Sequence, residues 1–312
     1  MLKNHAHDSI GCCCTDEVNK QVQRRFDKAQ NLVSSLKDFY MRKILEAADG
    51  QKNKLIIFNT CAKTKTETYK VCVTTQSDSF ELKDADGRVI DYEIIDTQDI
   101  IARDETGKKP AIYHKFTIAL HDEIPSMGYK IYLVKNSEGK HARVKNSNDS
   151  NIENEFYKIE INKNGSLNIT DKNSGEVYKN VLLMQDSADG GDSYDYSPIE
   201  NDYVLTSEKV VADIETNKCS YFENAKISYK FEVPKCEKSR IAKKIDGKMD
   251  FVIDVKLDKN SPIIQVSVQV DNHAKDHRTR ILIPQNLSAK NSIADIQFGN
   301  LKRSVYDEAI EV

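Results

Sequence analysis

The hydrophobic pattern of this chain changes its period near residue 54, and that change constrains the fold more than any other feature. Before it, apolar side chains recur every three or four residues from Val18 to Ile44, the spacing of one face of an α-helix. After it, apolar and β-branched residues alternate with polar ones, which is typical of strands. The sequence therefore predicts a mainly β fold with one long N-terminal helix.

The predicted helix begins after Thr15, whose hydroxyl can cap it, and ends near the Asp49-Gly50 pair. Such a helix, apolar on one face, needs other helices to pack against. The pattern predicts no second helix of comparable strength. We therefore interpret residues 1–50 as the remnant of a helical bundle.

Two β regions follow the helix. Strand-like runs over 51–145, with a turn signal at Asp86-Gly87, predict a small antiparallel β-sandwich. The polar stretch 135–151 is interpreted as a loop or linker. Residues 146–312, with turn signals at Asn164-Gly165 and at 173–175, predict the N-terminal part of a larger β-sandwich. The last residues, AIEV, suggest an end in mid-domain.

Composition excludes several classes of protein. Forty-six basic residues against 49 acidic ones give a net charge of −3, which does not suit a protein that binds nucleic acid through its phosphates. No apolar run approaches the roughly 20 residues of a membrane span, and the N-terminus is not typical of a signal peptide. Seven cysteines without a C-x-x-C motif indicate free thiols and a cytoplasmic location, with Cys61–Cys72 and Cys219–Cys236 bridges as alternatives.

The segment 4–9, NHAHDS, is the first of three that are richer in chemistry than structure requires. Two imidazoles and a carboxylate within four residues can ligate zinc. The alternative is a polar helix entry with Asp8 or Ser9 as its cap. His114, His121 and His141 are dispersed and are interpreted as surface residues.

The other two segments are 186–198 and 270–280. The first contains four Asp and two Tyr, a composition that suits calcium or a polyhydroxylated ligand, although its spacing is not that of an EF-hand loop. Its alternative is a solvated acidic loop. The second is interpreted as a charged turn between strands. The cysteine triplet 12–14 is interpreted as small buried residues at the helix entry rather than as a reactive thiol.

Taken in order, these segments resemble glycoside hydrolase family 38, the zinc-dependent α-mannosidases. NHAHDSIGCCC resembles the family's H-x-H-D motif, GGDSYDYSP resembles a loop of its C-terminal β region, and DNHAKDHRTRILIP resembles a later strand pair. The first motif is similar to that of the bacterial branch that includes mannosylglycerate hydrolases. The resemblance extends over nearly the whole chain.

This resemblance implies that residues 1–50 are the C-terminal part of the family's helical middle domain. It also implies residue roles and a mechanism. His7 would be one ligand of the catalytic zinc, while Asp8 and Tyr194 would contact the mannose. The reaction would be retaining hydrolysis of an α-mannoside through a covalent intermediate. The family's nucleophile and other zinc ligands lie in an N-terminal α/β domain that no segment here matches, so no catalytic carboxylate is assigned to this chain. It would be inactive without that domain.

Two other functions remain open. One is a stand-alone carbohydrate-binding module that uses the loop 192–196. The other is a β scaffold that only oligomerises. The expected partners are an α-mannoside and the missing N-terminal domain, without nucleic acid or membrane. The apolar helix face also predicts a homo-oligomer.

Overall fold

The computed structural model describes residues 2–11, 13–47, 53–103, 110–139, 141–147, 149–191 and 196–305. It opens with a 3-10 turn, Leu2–Asn4, followed by two helices, α1 (His7–Ile10) and α2 (Asp16–Ala47). The predicted cap of the long helix is confirmed, because the N–H of Val18 donates to Thr15 Oγ1 at 3.4 Å. The predicted end at Asp49-Gly50 lies outside the described residues.

The apolar face of α2 is open to solvent over most of its length. Val22, near its start, is the one buried residue of the helix. More than half of the surface of several large apolar side chains further along is exposed, namely Leu32, Val33, Leu36, Phe39 and Tyr40. The amphipathic pattern therefore describes the helix correctly, and within the described residues nothing covers its apolar side.

The first β region comprises seven strands. They are β1 (Lys54–Asn59), β2 (Lys65–Thr75), β3 (Phe80–Lys83), β4 (Val89–Ile90), β5 (Glu93–Arg103), β6 (Pro110–Ile124) and β7 (Gly128–Asn136). They form two antiparallel sheets with the orders β1-β7-β3-β4 and β2-β6-β5. Side chains from both sheets share one core, with Phe80, Ile118 and Tyr132 fully buried. This is the predicted small sandwich, and the Asp86-Gly87 signal falls in the turn between β3 and β4.

The second β region contains fourteen strands and a short helix. They are β8 (Lys145–Ser147), β9 (Asn151–Glu153), β10 (Tyr157–Ile161), β11 (Leu167–Asp171), β12 (Val177–Val181), β13 (Leu183–Ala188), β14 (Leu205–Thr206), β15 (Asp213–Lys218), β16 (Phe222–Val233), α3 (Glu237–Ile241), β17 (Gly247–Asp258), β18 (Ile264–Asn272), β19 (His277–Leu282), β20 (Asn291–Ile296) and β21 (Gly299–Ser304). A 3-10 turn, Ser207–Lys209, follows β14.

These strands form three antiparallel sheets around a second core, and a fourth, two-stranded sheet that contributes no residue to that core. The sheet orders are β12-β11-β10-β9, β14-β13-β19, β18-β17-β16-β15-β8 and the hairpin β20-β21. Alternate residues of β16 and β17, such as Ile227 and Ile253, point into a core that β10 and β11 close from the other side. The chain thus has the predicted mainly β, antiparallel architecture.

Two local predictions in this region need correction. The stretch 135–151 is not only a loop, because it contains β8, which pairs with β15, and because backbone bonds join Ile94 to Ala142 and Val144. The hydrogen bonding of neighbouring strands outweighs the polar composition of the stretch. In the second, Val266 and Val270 of β18 alternate with polar residues, a pattern that predicts a half-buried strand, yet both are exposed because β18 is an edge strand.

Two further features are the state of the cysteines and the apolarity of the helices. The six described cysteines, 13, 14, 61, 72, 219 and 236, are all free thiols, so the two alternative bridges are excluded. Cys12 lies outside the described residues. None of the described helices is long and apolar enough to cross a bilayer.

Candidate functional site

The H-x-H-D motif forms a small platform at the start of the chain. His7 is the first residue of α1, and its Nε2 lies 2.9 Å from Asp8 Oδ1. Both side chains are open to solvent, with 96% of His7 and 64% of Asp8 exposed. Ala6 occupies the N-cap position without a side-chain cap, so neither Asp8 nor Ser9 caps the helix. The motif therefore presents an imidazole and a carboxylate side by side to an incoming group.

A buried asparagine fixes this platform to the long helix. The Nδ2 of Asn4 donates to Val22 O at 3.0 Å, and Arg25 Nη1 donates to Asn4 Oδ1 at 3.1 Å. Asn4 itself is fully buried. The sequence does not predict this anchoring role of Asn4, because no local pattern distinguishes an anchoring Asn before a helix from a solvated one. Asn4 is what ties the His7–Asp8 pair to α2.

The donors near His7 fit part of a zinc shell and do not complete one. Structural and catalytic zinc sites use at least three protein ligands. Within the described parts of the chain, no group of three closely spaced His, Cys, Asp or Glu donors includes His7. Cys13 and Cys14 are free and half-buried, and Cys13 Sγ points to Gly11 O at 3.4 Å. The platform supplies one exposed imidazole, with Asp8 beside it.

The structure divides the acidic segment 186–198 into parts with different environments. Residues 186–188 belong to β13, and Asp186 is fully buried, so the interpretation of the whole segment as a solvated loop is wrong there. Tyr194, the predicted sugar contact, lies among residues 192–195 and is outside the described residues. Its position relative to His7 and Asp8 stays a prediction.

Asp186 is the centre of a buried network of charged groups. Its Oδ1 lies 2.5 Å from His277 Nδ1, and its other oxygen, Oδ2, accepts a hydrogen bond from Arg240. A second carboxylate, Asp202, accepts from Arg240 Nη1 at 3.2 Å. No more than 5% of the Asp186, Arg240 and His277 side chains is exposed. A buried charge is tolerated only when it is paired in this way.

Strand register explains how distant residues reach this network. In the β13–β19 pair, Asp186 lies opposite Thr279 and Ala188 lies opposite His277. Arg240 comes from α3, and its side chain reaches Asp186 of β13. The segment 270–280 is therefore more than a charged turn, since His277 is a buried part of the network. Sequence reasoning missed Arg240 and Asp202, because a long-range ion pair has no local signal.

The network also fixes the backbone on both sides of 192–195. The N–H of Ala188 donates to Asp202 Oδ2 at 2.7 Å, and the N–H of Gly190 donates to Ser197 O at 2.7 Å. The guanidinium carbon of Arg278 lies 3.5 Å from the centroid of the Tyr196 ring, a cation–π contact. The two flanks of the acidic loop are thus held close together by contacts to β19 and α3.

Two of the three dispersed histidines are not simple surface residues. His114 lies between two carboxylates, with Nε2 2.9 Å from Asp78 Oδ1 and Nδ1 2.7 Å from Asp99 Oδ1. His141 stacks on Tyr92 with ring centroids 4.2 Å apart. Their roles are local to the first sandwich, and neither forms a metal-donor group with His7.

Fold and sequence together define a β-rich C-terminal domain of a glycoside hydrolase. The sequence profile of the glycosyl hydrolases family 38 C-terminal domain matches residues 152–309, half of the chain. The chain therefore belongs to this family, and the resemblance seen in its motifs is confirmed.

Individual relatives agree with this assignment. A protein of Halalkalibacterium halodurans named "Putative mannosylglycerate hydrolase" is 24% identical to this chain over an alignment of 348 residues. The alignment covers 95% of this chain and 39% of that protein. Two crystal structures from Enterococcus faecalis, a family 38 protein and an alpha-mannosidase, both superpose with a TM-score of 0.80 at 23% and 22% identity. Each match covers 97% of this chain, and 42% and 40% of the respective structures. This chain spans about two fifths of the length of these relatives.

Proposed function

We propose that this chain is the middle-to-C-terminal part of a zinc-dependent retaining α-mannosidase. The observation that carries the proposal is the family match over 152–309, together with a His-Asp platform at the other end of the same chain. The substrate class is α-mannosides, with mannosylglycerate and α-manno-oligosaccharides as candidates. The name of the Halalkalibacterium relative supports the first of these.

His7 and Asp8 have complementary roles in this proposal. The exposed imidazole of His7 is one zinc ligand, and the contact between its Nε2 and Asp8 Oδ1 orients the ring, as carboxylates beside ligating histidines do. The second oxygen of Asp8 accepts hydrogen bonds from mannose hydroxyls. When bound, zinc supplies a Lewis acid at this position. Asn4 keeps the pair at a fixed place on α2.

Tyr194 is the third proposed sugar contact, reaching the same mannose from the β region. Its described neighbours support this role, because Asp202, Arg240 and the backbone of Ser197 hold the flanks of its loop. A loop whose two ends are fixed loses less conformational entropy when it binds sugar. The nucleophile, the acid/base and the remaining zinc ligands are proposed to come from an N-terminal catalytic domain outside these 312 residues. Alone, the chain would then be inactive.

The proposal extends to organisation and location. We propose three units: the helical segment 1–50, the small sandwich 51–145 and the larger β domain 146–312. Six described free thiols support a reducing, cytoplasmic location. The exposed apolar face of α2 supports an interaction with the N-terminal domain or with a second copy.

Hydrolysis of an aryl α-mannoside tests the proposal. Two proteins are compared with and without added zinc: the 312-residue chain, and the same chain extended by the in-frame sequence encoded upstream of Met1. We expect no turnover from the chain alone and zinc-dependent turnover from the extended protein, lost in His7→Ala and reduced in Tyr194→Phe. Turnover by the chain alone that survives His7→Ala would show that the catalytic residues are assigned wrongly.

Calorimetric titration of the chain with mannose adds a second arm. Binding that disappears in Tyr194→Ala, combined with an extended protein that shows no hydrolysis, would favour a carbohydrate-binding module instead. The extension must also encode an H-x-D motif within an α/β domain. An upstream sequence without one, and without a separate partner protein that supplies it, would refute the α-mannosidase proposal.

A further inference from the structure

Three metal-donor side chains meet on the outer face of the largest sheet, away from the His7 platform in sequence. Asp250 of β17 lies directly opposite Asp271 of β18 in the antiparallel register. His273 follows two residues after Asp271, and its N–H donates to Lys248 O at 3.1 Å, which continues the ladder beyond β18. Residues two apart on an extended chain share one face, so all three side chains project together.

The distances between the donor atoms are those of a chelating group. His273 Nε2 lies 3.1 Å from Asp271 Oδ2 and 3.9 Å from Asp250 Oδ2. One ligand atom from each of the three residues lies within 4.8 Å of the other two. In the described part of the chain this is the one such group of three. Asp250 and Asp271 stand on paired strands, which hold side chains more rigidly than loops do, and the backbone bond from His273 to Lys248 holds the third donor beside them.

Two carboxylates of this group face each other across the β17–β18 pair. Carboxylates directly opposite each other on a sheet repel, and a bound cation would relieve that repulsion. Lys248 Nζ lies 2.6 Å from Asp250 Oδ2, and Lys230 of β16 lies opposite Asp250 in the strand register. A metal ion bound at Asp250 Oδ2 would therefore take the place of the Lys248 ammonium. Among the described residues, Asp271 forms an ion pair with His273 and with no lysine, so its carboxylate is open to a cation.

We propose that Asp250, Asp271 and His273 form a surface site for a divalent transition-metal ion such as zinc. One imidazole nitrogen and two carboxylate oxygens are ordinary zinc ligands, and water would complete the tetrahedron. An imidazole donor selects Zn²⁺, Co²⁺ or Ni²⁺ over Mg²⁺ and Ca²⁺, which prefer oxygen ligands alone. The site is independent of the proposed catalytic metal at His7.

The position of the site suggests a structural role. The turn after His273 contains Asp276, whose backbone oxygen accepts from the N–H of Asp189 and whose Oδ2 accepts from the N–H of Glu237. A metal bound at Asp250, Asp271 and His273 would tie the start of this turn to β17. It would therefore stabilise the turn that holds one flank of the acidic loop.

Calorimetric titration of the metal-free 312-residue chain with ZnCl2, and with MgCl2 as the comparison, tests the site. We expect a saturable zinc event that His273→Ala and Asp271→Asn each weaken at least about tenfold, a loss typical of disrupted metal sites. The matched control is Asp254→Asn, which removes an exposed carboxylate from the same strand opposite Ser267 rather than another acid. Asp254→Asn and His7→Ala should leave this event unchanged.

The absorption spectrum of the Co²⁺-loaded chain separates the proposed ligands from the free thiols. Bands of a nitrogen–oxygen site that disappear in His273→Ala would support the proposal, and thiolate charge-transfer bands would overturn it. Absence of saturable binding, equal response to Mg²⁺, or loss of binding in His7→Ala but not in His273→Ala would overturn it as well. The last result would leave the proposed catalytic role of His7 intact, so the two proposals fail separately.

Discussion

Replacement of the buried Asp186 by Asn removes one charge from the network while keeping the shape of the side chain. Asn cannot compensate the Arg240 guanidinium, and it turns an amide toward His277, which lies 2.5 Å from Asp186 Oδ1. Breaking a buried ion pair from one side costs about 3–5 kcal/mol of unfolding free energy. Asp202, 3.2 Å from Arg240 Nη1, still neutralises part of the orphaned charge. We therefore expect the lower end of that range, about 3 kcal/mol.

Urea unfolding followed by circular dichroism measures this loss. With a typical slope of about 1–3 kcal/mol per M, a loss of about 3 kcal/mol lowers the urea midpoint by about 1–3 M. Because the chain has two hydrophobic cores, both transitions are fitted, and only that of the second β region should move. The first core then serves as an internal control.

An exposed ion pair of the same region supplies the matched variant. Glu160, paired with Lys158 at 2.7 Å on the surface of β10, is replaced by Gln. Surface pairs contribute about 0–1 kcal/mol, so Glu160→Gln should hardly change the midpoint. In the double variant Asp186→Asn/Arg240→Met the unpaired guanidinium is gone, and part of the stability should return. Equal midpoints for Asp186→Asn and Glu160→Gln would refute the view that burial makes the network costly to break.

Three further predictions concern backbone strain, acid stability and association. A Cβ at Gly165, where φ is +82°, would lie 2.8 Å from Ile227 Cγ2, whereas one at Gly175, where φ is +75°, meets nothing within 4 Å. In thermal melts Gly175→Ala should lower the free energy of unfolding by about 1–2 kcal/mol, because alanine is strained in the left-handed backbone region. Gly165→Ala should lower it by about 1–3 kcal/mol more, because the added methyl group also overpacks the core. Equal losses in the two variants would contradict the close contact with Ile227. Burial alone would raise the pKa of Asp122, but hydrogen bonds from Lys130, the Glu123 N–H and Tyr132 outweigh it and keep that pKa low. This carboxylate stabilises the fold above its unfolded-state pKa of about 4, and the contribution is lost as the pH falls through the folded pKa. Asp122→Asn should therefore be less stable at neutral pH and lose less stability on acidification, and parallel curves of melting temperature against pH would contradict this. Leu36→Glu on the apolar face of α2 should reduce self-association of the chain in sedimentation velocity, while Asn31→Glu, on the opposite, polar face of the same helix, should not.

Local sequence patterns were sufficient to predict most of the helices, strands and turns. The stripe from Val18 to Ile44 and the cap at Thr15 predicted α2, because helix periodicity and capping depend on residues within one or two turns. Alternation predicted the antiparallel strands for a similar reason, since the strands that build the two cores, such as β16 and β17, have one face toward a core. Gly165 and Gly175 marked turns because only glycine adopts their left-handed backbone without cost. The motifs around His7 and Tyr194 led to the family by resemblance.

Long-range electrostatics and edge pairing depended on the tertiary structure. Asp186 belonged to an acidic run in the sequence, yet pairing of β13 with β19 buries it beside His277, 91 residues away. The alignment of Asp250 with Asp271 likewise follows from strand register, which no local pattern contains. A hydrophobic period is a property of neighbouring residues, whereas the environment of a charge depends on which distant strand pairs beside it. The amino-acid sequence by itself therefore determined the elements, the turns and the family, and the tertiary structure alone decided which charged groups are buried together.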